Sequence, residues 1–224
     1  MTIAILLAAH LALDGFPLVA DRLVTGQHAH VTLTNTANQP VTAWALAIVT
    51  HPAPGRTHRE VETVDGYLSE ATHGIAGAPE RLERLMPGQS RQVDLDAVPD
   101  DATVEVAAVI LDDGTAMGDE KIVTPMFDRR AKERDALGAV ASVFRDVLGS
   151  QHGEAAVDAL RARLEALAER DTAPCRAAIG AVDTYKQRVH DRTPDQIDDS
   201  LRTYAAFVTR EWELAKKHAE RKSR

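Results

Sequence analysis

Residues 110–120, ILDDGTAMGDE, set four acids (Asp112, Asp113, Asp119 and Glu120) around Gly114 and Gly118. Acids at that density are candidate calcium ligands. A helix–loop–helix calcium site wants oxygen donors at loop positions 1, 3 and 5, glycine at 6 and glutamate at 12. Gly114 at the sixth position brings Asp113 and Glu120 into place but leaves Val109 and Leu111 at the first and third, where apolar side chains cannot ligate. With Asp113-Gly114 as a two-residue hairpin turn instead, Asp119 lies roughly 17 Å along a strand, at ~3.3 Å per residue. One ion cannot take ligands from both ends. The expectation is therefore a hairpin with strands over residues 104–111 and 115–123.

Histidine is the second ligand type. His28 and His30 are two residues apart, so on a strand both rings point to one face, and His51 or His58 would approach from the loop after the next strand. Such pairs can ligate zinc or copper. Spacing fixes no third ligand, and the ordinary reading is a pair of solvated histidines. His28 and His30 are the candidate metal residues; no cofactor is expected.

Cys175 with His152 or His190 would be a nucleophile and base, but its place on an apolar helical stripe makes it a buried small hydrophobe. G-x-S-x-G, the phosphate-binding loop, G-x-G-x-x-G and H-E-x-x-H are all absent; HREVE and HGEAA lack the second histidine. Asp100-Asp101 and Asp198-Asp199 are expected in turns or on a solvated helix face. No residue is assigned a catalytic role.

The elements that must carry these residues change character midway. From His28 apolar residues alternate (Ala29, Val31, Leu33) until the turn formers of NTANQP. Residues 41–49, VTAWALAIV, are apolar on both faces and read as a central strand. HPAPGRTH reads as a break, EVETV as a short edge strand, residues 65–85 as loop with a helical turn, and residues 91–95 as a strand after a Pro-Gly turn. Turn-punctuated short strands imply an antiparallel sandwich.

After Thr124 the period lengthens to about three and a half. Pro125 is read as the first residue of a helix, where its missing N–H costs nothing. Leu137, Val140, Phe144 and Val147 form its stripe; Val157, Leu160, Leu164 and Leu167 form the next; Cys175, Ile179, Val182 and Val189 the third. The fourth opens at TPDQ, where Thr193 and Gln196 can make a capping box, and carries Ile197, Leu201, Tyr204, Val208 and Trp212. The fold class is thus α+β: a sandwich over residues 16–123, then a bundle of three to four helices over 124–224.

Charge divides at the same place. The chain has 224 residues, 44% hydrophobic and 27% charged, with net charge −8. Residues 1–123 hold 17 acids and 7 bases, whereas residues 124–224 hold 17 acids and 19 bases. An acidic first half argues against nucleic acid, which needs clustered cations. One cysteine excludes a disulfide framework. The basic tail KKHAERKSR complements the negative end of the last helix, or meets an anionic partner. Residues 2–13, TIAILLAAHLAL, are too short for a transmembrane segment; they are a signal peptide or a first buried segment, and export, periplasmic or extracellular, is favoured over a cytoplasmic location.

VTLTNTANQPVTAWAL, LMPGQSRQVDL and VEVAAVILDDGTAMGD together resemble the bacterial immunoglobulin-like and fibronectin type III-like β-sandwich domains of exported proteins, over residues 16–123. Trp44 falls where such folds place a core tryptophan; with one cysteine, only cysteine-free types fit. The helical half resembles no family. The resemblance implies a non-enzymatic binding or structural module that contacts an unidentified protein partner, or a further copy of itself, through a strand edge or helical face. The alternative is a metal-binding protein or enzyme with a histidine site (His28, His30, His51, His58) where sandwich and helices meet.

Overall fold

The computed structural model describes residues 16–68 and 83–222. The apolar run at residues 2–13 and most of the stretch read as loop before Leu85 lie outside them. The chain divides into two compact units: the described part of the first comprises residues 16–67, 83–126 and 221–222, and that of the second Leu68 and residues 127–220.

The first unit holds two antiparallel sheets. One has the order β1 (Leu18–Val24), β2 (His30–Asn35), β5 (Ser90–Asp94); the other has β4 (Arg56–Asp65), β3 (Val41–Ala53), β6 (Thr103–Leu111), β7 (Ala116–Gly118). The alternation read from His28 is seen in β2, where Val31 and Leu33 are buried between half-exposed His30, Thr32 and Thr34. The central β3 is buried on both faces from Val41 to Ile48. Leu18, Val31 and Leu33 of the first sheet share one core with Trp44, Leu46, Ile48 and Val109 of the second. Asn35 is buried, and its amide donates to the carbonyls of Gln39 (3.0 Å) and Leu85 (2.8 Å) while its Oδ1 accepts from the Ala37 N–H (2.8 Å). The Asn-Thr turn of the sequence is thereby pinned to the strands around it.

The expected strands need one addition and two corrections. β1 was not read, because Asp21 and Arg22 interrupt its apolar residues. HPAPGRTH does not break the sheet: β3 continues through His51 and Pro52 to Ala53 and returns as the ten-residue β4. Pro52 is tolerated because the β3–β4 register shifts between Thr50 and Ala53, where no regular ladder bond is demanded of it. The last hairpin has a three-residue loop, Asp112-Asp113-Gly114, closed by Gly114 N–H donating to the Leu111 carbonyl (3.1 Å), with Gly114 at φ +81°. A three-residue loop closed this way and ending in a left-handed glycine is the next most common hairpin connection after the two-residue turn.

The second strand of that hairpin also ends early. Gly118 has φ +115°, and a Cβ there would lie 2.2 Å from the Ala107 carbonyl oxygen. Asp119 then caps a helix, its Oδ1 accepting from the Lys121 N–H at 2.9 Å. So α1 runs Glu120–Leu148 and Pro125 lies inside it, not at its first position.

In the second unit α1 continues from Phe127, followed by α2 (Gly153–Glu165), α3 (Ala173–Gln187), a 3-10 turn (Val189–Asp191) and α4 (Pro194–Ala219). Leu137, Val140, Phe144 and Val147 are all buried, as are Val157, Leu160 and Leu164. The Thr193–Gln196 capping box is present in both directions. Phe144 and Tyr204 rings lie 5.4 Å apart, joining α1 to α4. Arg161 to Asp183 (2.5 Å) and Lys186 to Asp158 (2.8 Å) join α2 to α3. Among the described residues no helix is long and apolar enough to cross a membrane.

Candidate functional site

The four acids of the last hairpin are all engaged. Asp112 faces Arg84 at 3.6 Å. Asp113 accepts from the Thr115 N–H (3.0 Å) and from Lys222 Nζ (2.7 Å). The Lys222 N–H also donates to the Gly114 carbonyl, 3.1 Å. Glu120 takes both Nη groups of Arg221, at 2.8 and 2.5 Å, and Asp119 is spent on the α1 cap. Lys222, ahead of any other group, holds the Asp113 carboxyl far below the usual carboxylate range. The basic tail, read as a solvated end or a contact for an anionic partner, finds its anions in its own chain. Its signal was a basic tail in a chain with one dense acidic turn.

The histidines are not brought together. His28 lies in the turn before β2, so the two-residue period does not reach it, and its carbonyl oxygen is 3.3 Å from His30 Nδ1. His51 and His58 lie on the β3–β4 hairpin of the other sheet, both exposed. Among the described residues no three histidine, cysteine, aspartate or glutamate side chains gather as a metal site requires.

Cys175 is fully buried, and that burial raises its thiol pKa above the ordinary value. His152, one of its two suggested partners, instead pairs with Asp198 at 2.9 Å. Asp198 departs from its expected solvated place: it is buried, accepts the Gly153 N–H at 2.7 Å, and is held below its ordinary pKa by that bond first and by His152 second. The carboxylate ties α4 to the start of α2, a structural task. A shallow polar depression of about 430 Å³ at the start of α4 is lined by Asp191, Arg192, Gln196, Asp199 and Ser200, with Arg192 donating to Ser200.

What remains is the β3–β4 hairpin. Residues 51–60 are exposed without interruption. β4 is the outer strand of its sheet, and among the described residues no strand pairs with its far edge. Its sequence, RTHREVETVD, separates charge by sign: Arg56, His58 and Arg59 lead, Glu60, Glu62 and Asp65 follow. Arg59 reaches Glu105 at 3.7 Å. Glu62 is only half-exposed, and burial first, then Asp96 and Glu60, pushes its carboxyl pKa up. The sequence shows these charges openly and EVETV reads as an edge strand, but the prolines before it concealed the half that carries Arg56, His58 and Arg59. Comparison with protein-family models, with curated proteins and with solved structures finds no match.

Proposed function

We propose that this chain is a non-enzymatic binding or structural module of an exported bacterial protein: an immunoglobulin-like sandwich with a helical appendage, acting through protein–protein contact at β4. The observation that carries this reading is the β3–β4 hairpin, exposed over residues 51–60 and ending in an outer strand whose far edge meets no described strand. Such an edge offers a row of backbone donors and acceptors, to which a partner's extended segment can add as a further strand.

Support for the immunoglobulin-like part comes from topology. Strands 1, 2 and 5 form one sheet and 4, 3, 6 and 7 the other. In immunoglobulin lettering these are A-B-E and C′-C-F-G, with the fourth strand beside C, as in the larger CFG-side sheet of variable-type domains. Trp44, on the strand equivalent to C, is 1% exposed. Asp113 and Glu120 are spent on the chain's own tail, Asp112 on Arg84 and Asp119 on the α1 cap, so the acidic turn offers a partner less than β4 does.

A photo-reactive phenylalanine analogue in place of Thr57, on β4, tests this in the full chain, with the same residue in place of exposed Thr203 on α4 as control. The expected result is a protein adduct from position 57 and none from 203. Adducts from 203 alone would move the contact to the helices, and none from either would end the reading.

A further inference from the structure

The partner that β4 is built to take can be read from its charges, granting the reading just given that this edge is the contact. Edge strands are ordinarily protected by charge of one sign, which repels a second copy. β4 lacks that protection. Its first four residues carry only bases, Arg56, His58 and Arg59, and the acids begin at Glu60. Antiparallel self-pairing reverses one strand against the other, so the basic half of each copy meets the acidic half of the next.

Symmetry narrows the register. A two-fold axis between antiparallel edge strands stands perpendicular to the sheet and keeps like face on like face. Side chains alternate with period two, so directly opposed residues must differ in number by an even count. With Glu60 or Val61 on the axis, Glu60 faces Glu60 or Glu62 of the other copy. With Arg59 on the axis, Arg56 faces Glu62 and His58 faces Glu60, each twice by symmetry. Arg59 then faces itself on the opposite sheet surface, where Glu105 of its own copy already balances it.

We infer that two copies of this chain join β4 to β4 antiparallel over residues 56–62, with Arg56 opposite Glu62 and His58 opposite Glu60, making one continuous sheet across a two-fold axis. Among the described residues Arg56, His58, Glu60 and Glu62 take no ion pair within their own copy, so the contact breaks none. The acidic crowding at Glu62 by Asp96 and Glu60 supports the same register, because a base from outside is what that corner lacks. Seven residues of strand extend roughly 23 Å at ~3.3 Å each, and a contact of that size is weak and concentration-dependent.

A charge-swap series in the full chain, followed by sedimentation velocity across micromolar to near-millimolar concentrations, tests this. The wild type is expected to pass from monomer to dimer. Arg56→Glu alone and Glu62→Lys alone should each weaken dimerisation by about tenfold or more, since either sets like charges opposite each other twice. An equimolar mixture of the two variants should recover near-wild-type affinity as a heterodimer, because both of its pairs are again opposite in sign. Should either variant fail to fold by circular dichroism, His58→Glu and Glu60→Lys form an equivalent series. A wild type monomeric throughout, or a dimer indifferent to the swaps, overturns the inference. If the chain is monomeric while position 57 still cross-links to a different protein, only the identity of the partner is wrong; the absence of adducts removes the edge itself.

Discussion

Asp113 and Glu62 are carboxylates of the same unit whose surroundings push them in opposite directions. Asp113 meets Lys222 and the Thr115 N–H, and its pKa falls; Glu62 meets partial burial first, then Asp96 and Glu60, and its pKa rises. The hairpin turn is dense in charge yet balanced: each acid there has a base or a helix end. The outer strand is at least as dense in charge, but its charges are sorted by sign, and among the described residues Arg56, His58, Glu60 and Glu62 take no ion pair. Acid density alone therefore marks a structural device, and imbalance is the feature on which the proposed contact rests.

The most forceful way to break this comparison is at the glycine that ends the turn's return strand. Gly118→Ala would set a Cβ 2.2 Å from the Ala107 carbonyl oxygen and 2.6 Å from Ala108 Cα at φ +115°. Backbone atoms cannot step aside as a side-chain tip can, so the first unit should lose about 3 kcal/mol or more. Trp44 fluorescence in urea, in a Trp212→Phe background, reads that unit. Thr57→Ala on β4 should stay within about 0.5 kcal/mol. If the two cost alike, the close backbone approach at Gly118 is not the constraint described.

Next in size is Asp113→Ala. It removes the bond to the Thr115 N–H, worth about 1 kcal/mol, and a half-exposed ion pair worth less than about 1 kcal/mol. The sign of its pH dependence follows from the lowered pKa: Asp113 stabilises the fold at every pH above the ordinary carboxylate value near 3.9, and the contribution is lost as pH falls below it toward the folded value. The stability gap between wild type and variant should be constant from pH 8 to 5 and should narrow only below about pH 4. A gap that closes near neutrality would mean Lys222 is not the partner that matters.

Legibility in the sequence followed the reach of each interaction. Helical stripes such as Leu137, Val140, Phe144 and Val147 were readable because a period repeats within the helix, and the Thr193–Gln196 capping box because it spans three residues. The start of α1 was misplaced because Pro125 is the stronger local signal, whereas the cap is Asp119, six residues earlier. β4 was shortened because Pro52 and Pro54 read as a break, and only the shifted pairing with β3 shows why the sheet survives Pro52. Lys222 and Asp113 are 109 residues apart, and Arg221 and Glu120 101. No periodicity joins them; what the sequence offered was two opposite charge clusters without a rule for pairing them.

The smallest expected effect sharpens the comparison most, because its sign is reversed. The raised pKa of Glu62 means that its charged form is disfavoured in the folded monomer, so it costs stability above its folded pKa and the cost fades as pH falls through it. Glu62→Gln should therefore raise stability at pH 7 by a few tenths of a kcal/mol, discounted for solvent screening at a half-exposed site, and the advantage should vanish below about pH 4. Asp113→Ala moves the other way under identical conditions. The gain should also depend on concentration: dilute chains keep it, whereas chains concentrated enough to pair lose it, since Arg56 of a second copy would then find glutamine where a carboxylate had answered it. Melting curves at about 1 μM and about 200 μM separate the two regimes. A Glu62→Gln advantage of equal size at both concentrations would leave the acidic corner as a feature of the monomer alone.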